Sequence, residues 1–159
     1  ALVVDNGPLA LLPNDPRMQP GWTAAKWRDD HPLGLEGLQS VGVSVPSLEA
    51  ARETFAGRLE WPEIGTRRLP GDRAECASFA MGDTVIEAMA GADEDSPVAR
   101  HCRDIQGLYC LTFKVKSAAA AAAYLRGKGL TLVGDLADRF AIAPDQAHGR
   151  LRGDPQHLT

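Results

Sequence analysis

Cysteine is scarce in this chain. Cys76, Cys102 and Cys110 are the three in 159 residues. An odd, sparse set without metal-type spacing argues against a disulfide framework and fits a reducing, cytoplasmic setting. No apolar run approaches 18 residues, so no transmembrane helix and no membrane partner are expected. The opening ALVVDNG lacks the positive region and long apolar core of a signal peptide. Basic residues are not in excess. The formal net charge is −4 with the two signs interleaved, which argues against a nucleic-acid partner.

What is present is ordinary in bulk: 44% hydrophobic and 24% charged residues, as in soluble globular proteins. The length suits one domain with a real core or two small repeated units. An internal repeat favours the second. Residues 37–51 read GLQSVGVSVPSLEAA and residues 107–121 read GLYCLTFKVKSAAAA, 70 positions apart. Each copy opens with Gly-Leu, runs through an alternating apolar stretch, reaches Ser, and enters an Ala-rich helical stretch. Duplication of a strand-then-helix unit follows.

In the first copy Val41, Val43 and Val45 alternate with Ser40, Gly42 and Ser44, the signature of a half-buried strand. Pro46 ends it and Ser47 is placed to cap a helix. Leu48, Ala51, Phe55 and Leu59 then share one helical face. Residues 61–73 predict a short strand plus turn. Residues 75–81 and 83–89 predict two strands joined by a Gly82-Asp83 hairpin. Residues 37–90 therefore read β-α-β-β-β. In the second copy Leu111, Phe113 and Val115 face the helix side, while Cys110, Thr112 and Lys114 face away. Ser117 caps a helix through Ala118 to Ala123, and Gly129 stops it. Short strands follow at 130–133 and 139–143, with a last one at 149–152. A third trace, residues 1–13, reads as the final hairpin of a preceding unit, so further units are expected upstream. The chain divides into a remnant plus linker (1–36), a first full unit plus linker (37–106) and an abbreviated second unit (107–159).

A repeated βαβββ unit of this size resembles the vicinal oxygen chelate superfamily of glyoxalase I, bleomycin-resistance proteins, methylmalonyl-CoA epimerase and extradiol dioxygenases. The residues that carry the resemblance are LQSVGVSVPSLEAARETF, FAMGDTVIEAM, GLYCLTFKVKS and APDQAHGRL. It implies an α+β fold of tandem βαβββ units, with a curved mixed sheet around a cup-shaped cavity. In metal-dependent relatives each unit supplies a ligand from its first strand and an acid from its last. Carried over, those positions are Ser40, Glu87, Cys110 and a place near Gly153. Of these, Glu87 alone keeps the family's residue type. A catalytic divalent ion needs about three protein ligands, so no metal and no cofactor are expected in this cup.

Alternation assigns Ser40, Ser44, Cys110, Thr112, Lys114, Glu87 and Met89 to the cup lining. Glu87 and Lys114 are its charges. They pair structurally, or they orient a ligand and move a proton. Cys110 reads as a buried inert thiol, or as a nucleophile. His31 and His101 fall in the linkers, as surface residues or as ligands. Arg150 and Arg152 clamp an anion, or protect a terminal strand edge. The leading expectation is a glyoxalase-like protein that binds a small, largely apolar organic molecule, with Glu87 as the residue for any catalysis. The alternatives are a metal-dependent lyase, isomerase or dioxygenase with ligands in upstream units, and a structural unit supporting another half. Similar proteins dimerise through sheet edges, and the abbreviated second unit leaves such an edge for a homodimer.

Overall fold

The structure is a computed structural model that describes residues 19–147. The expected hairpin at 1–13, the strand at 149–152, and His148, Arg150, Arg152 and Gly153 lie outside the described residues.

The element order is α1 (Ala24–Asp30), β1 (Leu35–Ser44), α2 (Leu48–Arg52) continued by a π-helical turn (Glu53–Arg58), β2 (Glu63–Leu69), β3 (Ala74–Met81) and β4 (Thr84–Gly91). Then come α3 (Pro97–Asp104), β5 (Gly107–Val115), α4 (Ala118–Gly127), β6 (Leu132–Asp135) and β7 (Arg139–Ile142). Five strands form one curved mixed sheet in the order β2-β3-β4-β1-β5, and β6 pairs with β7 in a separate hairpin. The fold is α+β, as the sequence implied.

Local chemistry places the elements. Ser47, Ser96 and Ser117 each accept a hydrogen bond from the backbone N–H three residues on, so the three helices that follow begin at serine caps. The β3–β4 hairpin turns at Gly82-Asp83, where Gly82 has φ +63°, a conformation that favours glycine. β1 lies parallel to β4 and antiparallel to β5, with Gly42 beside Glu87 on one side and Cys110 on the other.

The sheet has two faces. On one, Val43, Val45, Ala77, Phe79, Ala88 and Ala90 pack under Leu48, Ala51 and Phe55 of the helical segment. Phe55 stacks on Trp61 with centroids 5.6 Å apart and tilts against Phe79 at 5.3 Å. Phe79 is fully buried; burial of such a side chain contributes about 2–3 kcal/mol. On the other face Ala74, Cys76 and Met89 pack with Val98 of α3, joined by Leu69, Tyr109 and Cys110. The segment between β4 and β5 therefore holds a helix, capped by Ser96 with Pro97 in its first turn, which packs over one end of this face.

The second unit departs from expectation. Alternation puts Leu111 and Phe113 against a helix, yet about half of each remains exposed, as does Leu108 on the same strand. The six alanines from Ala118 to Ala123 make α4 thin, and α4 lies against β7.

Gly91 marks the closest approach of α3 to the sheet. A Cβ there would run into the Ser96 hydroxyl and lie 2.6 Å from the Ala99 Cβ and 3.0 Å from the Ala99 nitrogen. Gly91→Ala should lower stability in urea unfolding by about 1–3 kcal/mol, the usual cost of overpacking. Gly65→Ala, with nothing within 4 Å of its added methyl, should change it by less than about 0.5 kcal/mol. Equal effects would contradict this packing.

Candidate functional site

The concave face is laid out in cross-strand rows. One runs Gly65–Ser78–Glu87–Gly42–Cys110 across β2, β3, β4, β1 and β5. The next runs Arg67–Cys76–Met89–Ser44, and a third joins Val85, Ser40 and Thr112. Glu87 stands in the middle strand with its side chain 5% exposed. Its row neighbours are small, so its carboxylate sits over a floor of little side-chain bulk. A Cβ on Gly42 would meet the Cys110 Sγ at 2.5 Å and the Met89 Cε at 3.0 Å. The thiol and the thioether methyl therefore cover Gly42 beside the carboxylate.

A buried carboxylate is stable only with a partner. Here the partners are arginines. Arg67 Nη2 donates to Glu87 Oε1 at 2.6 Å, and Arg139 Nη2 stands 3.6 Å from Oε2. Lys114, the other charge expected in the cup, instead lies 3.9 Å from Glu36 and is largely exposed. The Glu87–Lys114 pairing is thus replaced by Arg67–Glu87–Arg139. Lys114 sits one row beyond Thr112, beside Gly37, at the exposed end of β5. Among the described residues, two buried side-chain atoms, Glu87 Oε2 and Ser40 Oγ, have no hydrogen-bond partner.

At the closed end, Ser44 is tied down. Its hydroxyl donates to the Ile105 carbonyl at 3.1 Å, with the Gly107 carbonyl at 3.4 Å and His101 Nδ1 at 2.9 Å. The His101 ring meets Tyr109 edge-on at 5.2 Å, and the Tyr109 hydroxyl donates to Asp72 Oδ1 at 3.1 Å. Ser44 is 1% exposed, so it joins β1 to α3 and β5 rather than presenting its hydroxyl at the mouth. Burial, reinforced by Asp72, holds the Tyr109 phenol above its ordinary range. Burial, then the Glu87 charge, pushes the Cys76 and Cys110 thiols up, so both are held as thiols rather than thiolates.

The expected lining residues thus take different places. Glu87, Met89, Cys110, Ser40 and Thr112 come together on adjoining strands. Ser44 is engaged at the closed end, and Lys114 stands outside. Sequence reasoning missed Arg67, Arg139, Cys76, Tyr109 and the inward place of His101. Arg67 had a signal: in a strand reading Glu63–Leu69, the consecutive Arg67-Arg68 must send one guanidinium to each face. A solvent-open groove of about 780 Å³ runs between the start of α2 and β2, lined by Ser47, Glu49, Arg52, Arg67, Arg68 and Glu75 among others. Its charges are paired among exposed groups, as in Arg52–Glu63 and Arg68–Glu75. The unsatisfied buried atoms lie instead on the concave face.

A curved mixed sheet with few helices is the architecture of the glyoxalase fold. The chain belongs to the glyoxalase/bleomycin resistance protein/dioxygenase superfamily, whose family profile matches residues 39–144. Among solved structures, methylmalonyl-CoA epimerase from Mycobacterium tuberculosis is 26% identical, with a TM-score of 0.65, covering 72% of this chain and 83% of that one. A hypothetical protein from Bacillus halodurans C-125 is 22% identical, TM-score 0.61, with coverage of 70% and 87%. A variant of Streptomyces coelicolor methylmalonyl-CoA epimerase in complex with 2-nitronate-propionyl-CoA is 19% identical, TM-score 0.62, with coverage of 72% and 90%. No curated protein matches the chain.

The thiol shifts carry a testable sign. Since the Glu87 charge helps hold Cys110 protonated, Glu87→Gln should lower its pKa. Alkylation of Cys110 by iodoacetamide at fixed pH, read by peptide mass spectrometry, should then be several-fold faster in the variant. An unchanged or slower rate would contradict the placement of that carboxylate.

Proposed function

We propose that the chain is a glyoxalase-like protein that binds a small, largely apolar organic molecule on the concave face between β4, β1 and β5, without a metal ion. The observation that carries this reading is the state of Glu87. It is the one residue of family type at the metal-ligand positions, and its carboxylate is engaged by two guanidinium groups. A divalent ion there would compete with two fixed cations. The other described positions offer a neutral hydroxyl at Ser40 and a protonated thiol at Cys110. A catalytic site for such an ion needs about three protein donors plus an open position. Among the described residues this donor set does not fit.

The lining suits a molecule with an apolar body. Met89, Cys110 and Val85 supply apolar surface, and a few polar groups fix orientation, the usual arrangement of a small-molecule site. Glu87 Oε2, buried and without a hydrogen bond although Arg139 stands 3.6 Å away, is the atom to accept a proton or a hydrogen bond from the bound molecule. Ser40 and Thr112 flank it from the adjoining row. Ser44 and Lys114 contribute indirectly, one by fixing the closed end and one at the rim.

A second reading is a metal-dependent lyase, isomerase or dioxygenase. Likeness to the M. tuberculosis epimerase favours an isomerase among these. Metal analysis separates the two. Protein purified without chelator should hold no stoichiometric divalent ion. Its melting temperature should stay unchanged on addition of zinc, nickel, cobalt or manganese. A bound ion whose removal lowers that temperature would establish the second reading.

The binding face has its own test. The chain has three methionines, so methyl-labelled Met gives a sparse NMR spectrum. A stabilising small molecule, found by thermal shift, should move the Met89 methyl and leave Met81 at the β3–β4 hairpin in place. A stabilising molecule that leaves the Met89 methyl unmoved would place binding elsewhere.

A further inference from the structure

We propose that the molecule taken by this cup is a small organic acid with a hydrogen-bond donor beside its carboxylate, a 2-hydroxy acid being the simplest case. This rests on the cup being the binding site. The inference comes from what the buried charges leave unused. Arg67 commits one Nη2 contact to Glu87, and Arg139 approaches without a hydrogen bond. A guanidinium offers five N–H donors in a planar fork. The two side chains are 40% and 50% exposed, so N–H groups beyond the Glu87 contact stay accessible to a ligand. Planar forks of this kind match a carboxylate two bonds at a time.

The unsatisfied atoms define the rest of the molecule. Glu87 Oε2 is an acceptor without a donor, and Ser40 Oγ lacks any partner, although both are buried. Leaving a buried polar group unpaired is unfavourable, so a ligand that completes them gains affinity from each. A hydroxyl next to the carboxylate donates to Glu87 Oε2 while the carboxylate lies across the Arg139 fork. Two negative groups are then separated by guanidinium and bridged by a proton. Cys110 and Val85 receive the apolar substituent, with the buried Met89 beside Cys110. A neutral apolar ligand would leave the arginine donors to water, and an acid without the hydroxyl would set two carboxylates facing each other.

Other charged groups near the cup do not take this role. Asp72 accepts from Tyr109 at the closed end, and Lys114 stands by Glu36 at the rim.

The test uses the full chain with methyl-labelled Met. The probes are mandelate and 2-hydroxyhexanoate, their methyl esters, and the hydroxyl-free acids phenylacetate and hexanoate, all at fixed ionic strength. The hydroxy acids should move the Met89 methyl and bind about tenfold or more tighter than either counterpart. Arg139→Gln should abolish the preference for acid over ester in protein that still unfolds cooperatively. Arg139→Lys, which keeps the charge and loses the fork, should retain only part of it. Esters that move Met89 and bind as tightly as the acids would overturn the proposal while the cup still stands as a ligand site. Acids that bind without moving Met89 would place the anion elsewhere and overturn it too. No shift of Met89 by any probe would overturn both this proposal and the reading on which it rests.

Discussion

The contact between Arg67 and Glu87 organises the concave face. A carboxylate 5% exposed in the central strand of a sheet would be heavily penalised without a charged partner. The partner comes from β2, two strands away, because Ser78 and Cys76 on the intervening β3 are too small to block the path. The same requirement explains the rest of its row. Gly65 and Ser78 add little bulk beside the carboxylate, and Gly42 lets the Cys110 Sγ and Met89 Cε close over β1. The salt bridge and the cavity are consequences of one arrangement of small residues around one acid.

That arrangement sets the chemistry of everything nearby. The carboxylate helps hold both neighbouring thiols protonated, so they line the cup as soft, uncharged surface. Its first oxygen accepts the Arg67 hydrogen bond and its second faces Arg139 at 3.6 Å without one, which gives the site a direction. At the other end, Ser44, His101, Tyr109 and Asp72 form a polar seam tying α3 and β5 to β1. This seam fixes the wall of the cup independently of whatever the mouth receives.

Much of the scaffold is legible in the chain. The Val41–Val43–Val45 alternation gives β1 its two faces, Ser47 and Ser117 mark the helix starts, and Gly82-Asp83 marks the hairpin, because each is a local property. The harder features are those set by distance. Pattern alone sets Glu87 against Lys114, because both fall on cup-facing positions of inner strands. The guanidinium that reaches Glu87 comes from β2, a segment whose sequence shows only a short strand plus turn, and a second approaches from the start of β7. Tyr109 is invisible for another reason. A register shift between β1 and β5 leaves it without a partner, between Gly42↔Cys110 and Val43↔Leu108, so it joins Cys110 on the same face, against strict alternation. The helix α3 hides in a polar linker, where a Ser96-Pro97 start resembles an ordinary turn. The exposed apolar face of β5 follows from alanines that build a helix without building a layer.

The account stands on the coupling between Arg67 and Glu87. A double-mutant cycle with Arg67→Met, Glu87→Gln and the pair, followed by urea unfolding, measures it directly. Since Arg67 is partly exposed, solvent screening reduces the full cost of breaking a buried pair. A favourable coupling of about 1–2 kcal/mol is predicted. Additive effects, with no coupling within error, would show that the carboxylate is not held by this guanidinium, and the description of the cup floor would fail with it.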